Sequence, residues 1–352
     1  MNRLLKKDRL PVVLLCIVCA ALFVLGGYAA ILRLRADTPD EAVLTVSEAT
    51  AASPEPIFAA PDETPEPTGF PALVPADPQA GDAAESAPFW SQGILKSGNL
   101  YRSPTLSVSV RKVRDTTSFR SNAVYYVADI YVKDVTQIMT ASTKNDFSKR
   151  GYGDFTKMAK NADSLIAISG DYYGTRKTGL VIRNGVTYRT TTGYGDVCVL
   201  LKNGEMETIR MRDVNVKEIL EKDPWQVWEF GPALLDENGK AIKSFPDSNI
   251  SSTNPRCCIG YFEPGHYCFV VVDGRQENTR GMRLSDLSYL MESLGCKVAF
   301  NLDGGDSAHF YWKNKIMNRP SGGGRPISDI IYIAKEPYPE SRFFCGKAGS
   351  NR

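Results

Sequence analysis

Histidine is almost missing from this chain: two in 352 residues, His266 and His309. None of the six cysteines after residue 35 stands in a Cys-x-x-Cys pair. That scarcity argues against zinc and iron–sulfur centres, which need clustered His and Cys. His266 follows Glu263-Pro264-Gly265 and reads as a surface turn residue. His309 reads as a half-buried strand residue. No Gly-x-Ser-x-Gly elbow is present to expose a nucleophilic serine. A helix-turn-helix, a zinc finger and interleaved aromatic and basic residues are also missing, so nucleic acid is not the expected partner. No repeat of regular period appears, and helical periodicity is scarce.

Charge is missing in two places, each in its own way. Residues 12–32 carry no charged side chain. At a helical rise of about 1.5 Å per residue such a run spans roughly one bilayer core. Arg3, Lys6, Lys7 and Arg9 precede it, which favours a cytoplasmic N-terminus. Residues 1–35 are therefore expected to be a basic tip and a signal-anchor helix. Secretion after cleavage near Gly26–Ala30 is the alternative. Residues 36–90 lack Lys and Arg altogether, yet hold eleven acidic residues and ten prolines. Such a composition does not bury enough apolar surface to offset its ordering entropy. It predicts a disordered, extended acidic stalk.

The remainder, 91–352, is long enough for one large domain. Residues 1–35 hold six basic residues and one acidic, and the stalk holds eleven acidic and none basic. The 42 basic and 40 acidic residues of the whole chain thus leave 36 and 28 on the head, about +8. A basic head suits an anionic substrate or surface. Cys198, Cys257, Cys258, Cys268, Cys296 and Cys345 lie in it, and an exported domain permits disulfides. Their pairing does not follow from sequence.

The head reads mainly as strands, an α+β domain dominated by mixed sheet. Leu106 to Val110 alternates apolar and polar residues, and Ala123 to Val132 is β-branched and aromatic. Asn184-Gly185 and Asn203-Gly204 mark hairpins. Glu263 to His266 turns another. Helices are predicted over Phe155 to Ala162, over Val216 to Leu220, and over Asp286 to Leu294 with Ser285 as N-cap and Gly295 as stop. The last would join the strand before Asp273 to the strand before Asp303. A strand–helix–strand crossover makes such strands parallel and puts both Asp-Gly ends on one edge.

Three apolar runs end in this way: Ile166 to Asp171, Phe269 to Arg275, and Val298 through Asn301-Leu302-Asp303-Gly304-Gly305-Asp306-Ser307. Asn254-Pro255-Arg256 and the Gly-rich loop Asn318 to Arg325 add cations. In their order and spacing these segments, over about residues 160–335, resemble the phosphodiester glycosidase family. The resemblance implies hydrolysis of a sugar-1-phosphodiester of the N-acetylglucosamine type, in a cell-envelope or exopolysaccharide glycan. Two positions depart from the family pattern. Ser169-Gly170-Asp171 stands for Asn-Gly-Gly, and Asp306 stands for a third Gly. Both departures add a carboxylate.

Breaking the C1–O bond of such a diester needs charge stabilisation on the sugar and an activated water, work that carboxylates do. Arg steadies the departing phosphate through paired hydrogen bonds. We therefore expect Asp303 as the central catalytic group and Asp273 as its assistant. Asp171 and Asp306 are expected to shape the sugar pocket. Arg256 is the expected phosphate ligand, with Arg275, Arg319, Arg325 and Ser307 as further candidates. Gly304, Gly305 and Gly322 to Gly324 offer backbone N–H groups. For Arg275 and Arg325 a structural ion pair is an equal expectation. Glu229, before Phe230-Gly231-Pro232, is a second-rank candidate. No cofactor is required on this reading. The competing readings are a phosphodiesterase in which Asp171, Asp273, Asp303 and Asp306 hold Mg²⁺ or Ca²⁺, and a non-catalytic protein that binds an anionic cell-wall glycopolymer.

Overall fold

A computed structural model describes residues 88–336, except 117–121, 192, 194, 247 and 249. The expected anchor, most of the expected stalk and Cys345 lie outside the described residues. Among the described residues no helix is long and apolar enough to cross a membrane. They form three sheets and three short α-helices, a sheet-rich α+β arrangement.

The largest sheet has seven strands, in the spatial order Leu95–Ser97, Leu100–Arg102, Leu106–Asp115, Ala123–Val132, His266–Val272, Arg256–Glu263, Val298–Asn301. All neighbouring pairs in the three sheets are antiparallel, which corrects the expectation of mixed sheet. The reason lies in the hairpin through Glu263 to His266. It places its own strand, Arg256–Glu263, between His266–Val272 and Val298–Asn301. Those two outer strands run antiparallel to the middle one and so parallel to each other. The crossover geometry therefore holds, with a third strand interposed.

Alternation along these strands decides which layer each side chain enters. Tyr267, Phe269 and Val271 face the main core, together with Cys257, Ile259 and Tyr261. Cys268, Val270, Val272 and Cys258 face the opposite side, under the Leu284–Ser293 helix. Leu284, Leu287, Leu290 and Met291 of that helix are fully buried there. At roughly 1.5–3 kcal/mol per buried large side chain, this apolar stripe is what holds the helix in place. The helix begins two residues earlier than its sequence suggests. Arg283 is the N-cap, and its N–H donates to the Asp286 carboxylate at 3.1 Å. Ser285 lies inside the first turn, and Gly295 ends the helix with a φ of 85°.

The second sheet runs Lys315–Ile316, Phe310–Trp312, Ile166–Ser169, Asp329–Ile333, Ile138–Ser142. It packs its Ile, Phe and Trp side chains into the main core. The third sheet holds both predicted Asn-Gly hairpins and the Pro224–Glu229 strand. Asn184 and Gly185 have φ of 52° and 75°, the left-handed pair that such a turn requires. Trp225 and Trp228 of that strand are fully buried in the main core.

His266 departs from its expectation. It opens a strand, and its ring lies between Tyr131 and Phe262 at centroid distances of 3.9 and 4.1 Å. Its Nε2 is 2.7 Å from Asp129 Oδ1. Two rings and a carboxylate thus draw a turn residue inward. His309 is buried, stacked on Phe155 at 4.6 Å, with Nδ1 2.8 Å from the Ser307 carbonyl oxygen. Burial lowers its pKa.

Candidate active site

The three Asp-Gly segments leave their strands at neighbouring places. The main-chain N–H of Asp303, just past Val298–Asn301, donates to the Gly170 carbonyl at 3.0 Å. Gly170 follows Ile166–Ser169 in the second sheet. One hydrogen bond thus ties the exits of two sheets. Around it the structure sorts the predicted residues into two groups with different surroundings.

Asp303 anchors the first group. Its carboxylate is 6 % exposed, and both oxygens accept from Arg325 Nη2 at 3.1 Å. Arg325 Nε donates to Ser307 Oγ at 2.6 Å. The guanidinium carbon sits 5.2 Å from the centroid of the Tyr172 ring, within cation–π range. Burial pushes the Asp303 carboxyl up, against the lowering pull of Ser307 and Arg325. Tyr172 has a φ of 73°, a left-handed conformation costly for a bulky residue. Tyr172 was not among the residues singled out from the sequence. Its strained backbone presents the ring to Arg325.

Asp306 and Arg275 form a second, outer pair, Nη1 to Oδ1 at 2.8 Å. Arg275 Nη2 also donates to Asn254 Oδ1 at 2.9 Å. The Ser321 hydroxyl and Arg275 hold the Asp306 carboxyl below its ordinary value. Both side chains are nearly half-exposed. The added carboxylate at 306 therefore sits at the rim with an arginine partner.

The remaining candidates take other places. Asp171 is buried, and its Oδ2 lies 2.7 Å from Arg183 Nη2. Its oxygens also accept from the N–H groups of Tyr173 and Glu229, at 3.0 and 2.8 Å. These bonds hold its carboxylate in place beneath the site. Arg256 is 2 % exposed, and it donates from Nε to the Met282 carbonyl and from Nη2 to the carbonyls of Ile250 and Ser252. Those bonds brace the 250–252 loop, and they commit the guanidinium expected to bind phosphate. Asp273 is also buried. Its Oδ1 accepts from Asn318 Nδ2 at 3.1 Å and from the Arg319 N–H at 2.9 Å. It fixes the loop that carries Arg325, which is a positioning task. Gly305 N–H donates to the Pro255 carbonyl at 2.9 Å, and Gly323 and Gly324 N–H groups close their own turns. These amides are not aimed at an anion. A Cβ on Gly304 would stand 2.6 Å from the Pro255 carbonyl oxygen, so close packing explains that glycine. Arg319 keeps an exposed side chain while its main chain is held.

Arg183 and Asp329 belong to the site's foundation and were not read from sequence. Arg183 is fully buried, with Nε 3.4 Å from Asp329 Oδ2. It lies on the face of Val181, against the rings of Phe147 and Tyr173 at 5.8 and 5.6 Å. Asp329 is raised by burial and by the Asp171 charge. A usable signal existed: Arg183 ends an apolar strand and Asp329 begins one.

Glu229 lines a narrow pocket with Asp171, Arg176, Thr178, Gly179 and Arg189. Its Oε2 accepts from the Leu180 N–H at 2.9 Å, and Arg176 Nη1 lies 3.7 Å from Oε1. Arg189 donates to the carbonyls of Arg176, Thr178 and Tyr173, pinning the loop that brings Arg176 there. Among the described residues no group of three His, Cys, Asp or Glu side chains could hold a metal ion. The four carboxylates proposed for a cation are separated into different ion pairs and loop contacts.

Residues 162–334 match the family model described as phosphodiester glycosidase, which bears out the resemblance read from the motifs. A similar solved structure is the zebrafish N-acetylglucosamine-1-phosphodiester alpha-N-acetylglucosaminidase catalytic domain, auto-inhibited by its pro-peptide. It aligns with a TM-score of 0.53 at 20 % identity, over 66 % of this chain and 85 % of that one. That likeness shows the fold. A curated relative is the SPbeta prophage-derived uncharacterized protein YomE of Bacillus subtilis (strain 168), 27 % identical over 299 residues. The alignment covers 74 % of this chain and 46 % of YomE, so the chain spans about half the length of the curated relative it matches.

Proposed function

We propose that this chain is a hydrolase that cleaves the glycosidic C–O bond of a sugar-1-phosphodiester, with Asp303 and Arg325 at the reacting centre. The observation that carries the reading is the Arg325 contact to both Asp303 oxygens inside the family-matched segment. Arg325 is the cation of this pair and is 43 % exposed at its side chain. A phosphate, though tetrahedral, offers a guanidinium a pair of acceptor oxygens as a carboxylate does. Substrate phosphate drawn to Arg325 would leave Asp303 beside C1 with its charge no longer matched. That charge stabilises the oxocarbenium-like sugar as the C1–O bond breaks and its electron pair leaves with the phosphate. Water adds to C1, and its proton passes to a carboxylate and then to solvent. Ser307, through Arg325 Nε, keeps the guanidinium in register.

Within this reading the substrate is an N-acetylglucosamine-1-phosphodiester type of linkage in a cell-envelope or exopolysaccharide glycan. The head would be carried outside the cytoplasm on the charge-free segment 12–32 and the acidic segment 36–90. The basic excess of the head supports an anionic substrate.

The test is hydrolysis of a sugar-1-phosphodiester in ¹⁸O-water, with and without chelator, followed by mass spectrometry. Label at sugar C1, unaffected by chelator, is the expected result. Label on phosphate would overturn C–O cleavage in favour of attack at phosphorus. Saturable glycan binding without turnover over a panel of diesters would overturn the enzyme reading altogether.

A further inference from the structure

Five cysteines of the described residues are buried, and the strand alternation separates them. Cys257 and Cys258 are adjacent in sequence but enter opposite faces of the seven-stranded sheet. Neither can therefore reach the other. Cys257 Sγ lies 3.5 Å from the Ser169 carbonyl oxygen, and Cys258 Sγ lies 3.5 Å from Met291 Sδ. Cys198 sits in the main core. Cys268 and Cys296 differ from all of these: their sulfurs are 3.6 Å apart.

The cause is a glycine. Gly260 pairs with Cys268 on one side and with Ala299 on the other, in the middle of the sheet. A Cβ at 260 would stand 2.7 Å from each of the two sulfurs and 2.5 Å from Met291 Cε. Its absence opens a hole in the sheet face under the Leu284–Ser293 helix. Cys268 leans into that hole from its strand. Cys296, just past the helix, leans in from the other side.

We propose that Cys268 and Cys296 form a disulfide across Gly260. A modest rotation of either side chain closes the remaining gap between the sulfurs. The two S–H bonds are exchanged for one S–S bond, and two protons and two electrons pass to a disulfide donor, a glutathione disulfide or a thiol oxidase. Both thiols are buried, and burial with its neighbouring thiol holds Cys268 protonated once folded. Exchange requires thiolate, so the bond forms while the helix is still undocked. The bridge closes the segment from Cys268 to Cys296. That segment holds Asp273, the Arg275 turn and the helix, so one covalent link ties down the crossover beneath the site.

The test uses the full chain, refolded in a glutathione redox buffer, then alkylated under denaturing conditions and mapped by peptide mass. The expected result is a chain that loses two of its eight thiols, with Cys268 and Cys296 in one linked peptide pair. The unfolding midpoint of wild type should fall on adding reductant, whereas Cys296→Ala should show no response to reductant. A Cys258–Cys268 link would overturn the proposal. So would Cys268 and Cys296 both alkylated as free thiols in folded protein from the same buffer. The readout is covalent, so its failure leaves the catalytic reading untouched, and the reverse also holds.

Discussion

Two Asp–Arg clusters meet at Gly170 and behave as opposites. The Gly170 N–H donates to the Asp329 main chain on the buried side, and its carbonyl accepts from Asp303 on the open side. On the buried side, Arg183 serves two carboxylates, Asp171 and Asp329, and all three side chains are shielded from water. On the open side, Arg325 serves one carboxylate and keeps much of its surface in solvent. A charge buried with fixed partners resists rearrangement, because removing any member leaves another uncompensated in low dielectric. A half-exposed arginine can exchange a carboxylate for a phosphate at little desolvation cost. The first cluster therefore holds the strand exits in place, and the second is free to react.

The buried cluster should give the largest effect. Arg183→Leu would strand two carboxylates in the core, and losing one member of a buried ion pair costs about 3–5 kcal/mol. That is a large share of a typical domain stability of roughly 5–15 kcal/mol. Urea unfolding should show the loss, or the variant should fail to accumulate in folded form. Arg183→Lys keeps the charge and should recover part of it. A shift under about 1 kcal/mol for the Leu variant would abolish the contrast between the clusters, since that is the size of a surface pair.

The open cluster reverses the pattern. Asp303→Asn keeps one acceptor for Arg325 but loses the charge, so turnover should drop on the order of 10²–10⁴-fold. Stability should move by only about 1 kcal/mol, the net worth of one hydrogen bond. Steady-state kinetics on a sugar-1-phosphodiester, beside a thermal melt, measures both. Equal damage to fold and turnover would mean that Asp303 is a second structural carboxylate.

Protons should also report on the buried cluster. Asp329 has its folded pKa raised, by burial and by the Asp171 charge. A carboxyl raised on folding binds its proton more tightly in the native state. Its stabilising contribution is full below the unfolded carboxylate pKa and is lost as pH rises through the raised value. Unfolding free energy should therefore fall as pH rises from the ordinary carboxylate range to about 8, by at most about 1.4 kcal/mol per pH unit for one proton. Asp329→Asn, which mimics the protonated form, should lessen that slope, leaving the smaller part that the raised Asp303 and Asp273 carboxyls contribute. A wild-type profile that rises with pH over the same window would contradict the shared burial of the two carboxylates.

Much of this architecture was legible in the sequence, and the gaps have physical causes. Asn184-Gly185 and Asn203-Gly204 named their hairpins because left-handed turns restrict residue choice so strongly. Unbroken apolar runs marked the strands that lead to Asp171, Asp273 and Asp303. The pairing of strands was not legible, since a hairpin strand can insert between two parallel ones without changing any local pattern. Arg256 misled for a related reason. A guanidinium after a loop looks the same whether it awaits a phosphate or braces carbonyls four and six residues away, and only its burial separates the two. Arg183 was hidden inside an apolar strand, where one face takes Val181 and Arg183 together against Phe147 and Tyr173. The expected anchor and most of the expected stalk lie outside the described residues.

The smallest expected effect lies at the rim, and it limits how far the open cluster extends. Arg275 and Asp306 are close and well aligned, at 2.8 Å, yet each side chain is nearly half-exposed. Exposed pairs are worth roughly 0–1 kcal/mol because water and salt screen them. Arg275→Ala should therefore leave the unfolding midpoint almost unchanged. It also frees the Asn254 side chain and leaves the Asp306 carboxylate, which the Ser321 hydroxyl of the Arg325 loop still holds, without its arginine. If the rim contacts the group beyond the phosphate, KM for a long anionic substrate should rise a few-fold while kcat holds. Kinetics on a short and a long phosphodiester in parallel would show this. An equal change for both lengths would place Arg275 with the reacting pair. No change for either would confine the working site to Asp303, Arg325, Ser307 and Tyr172.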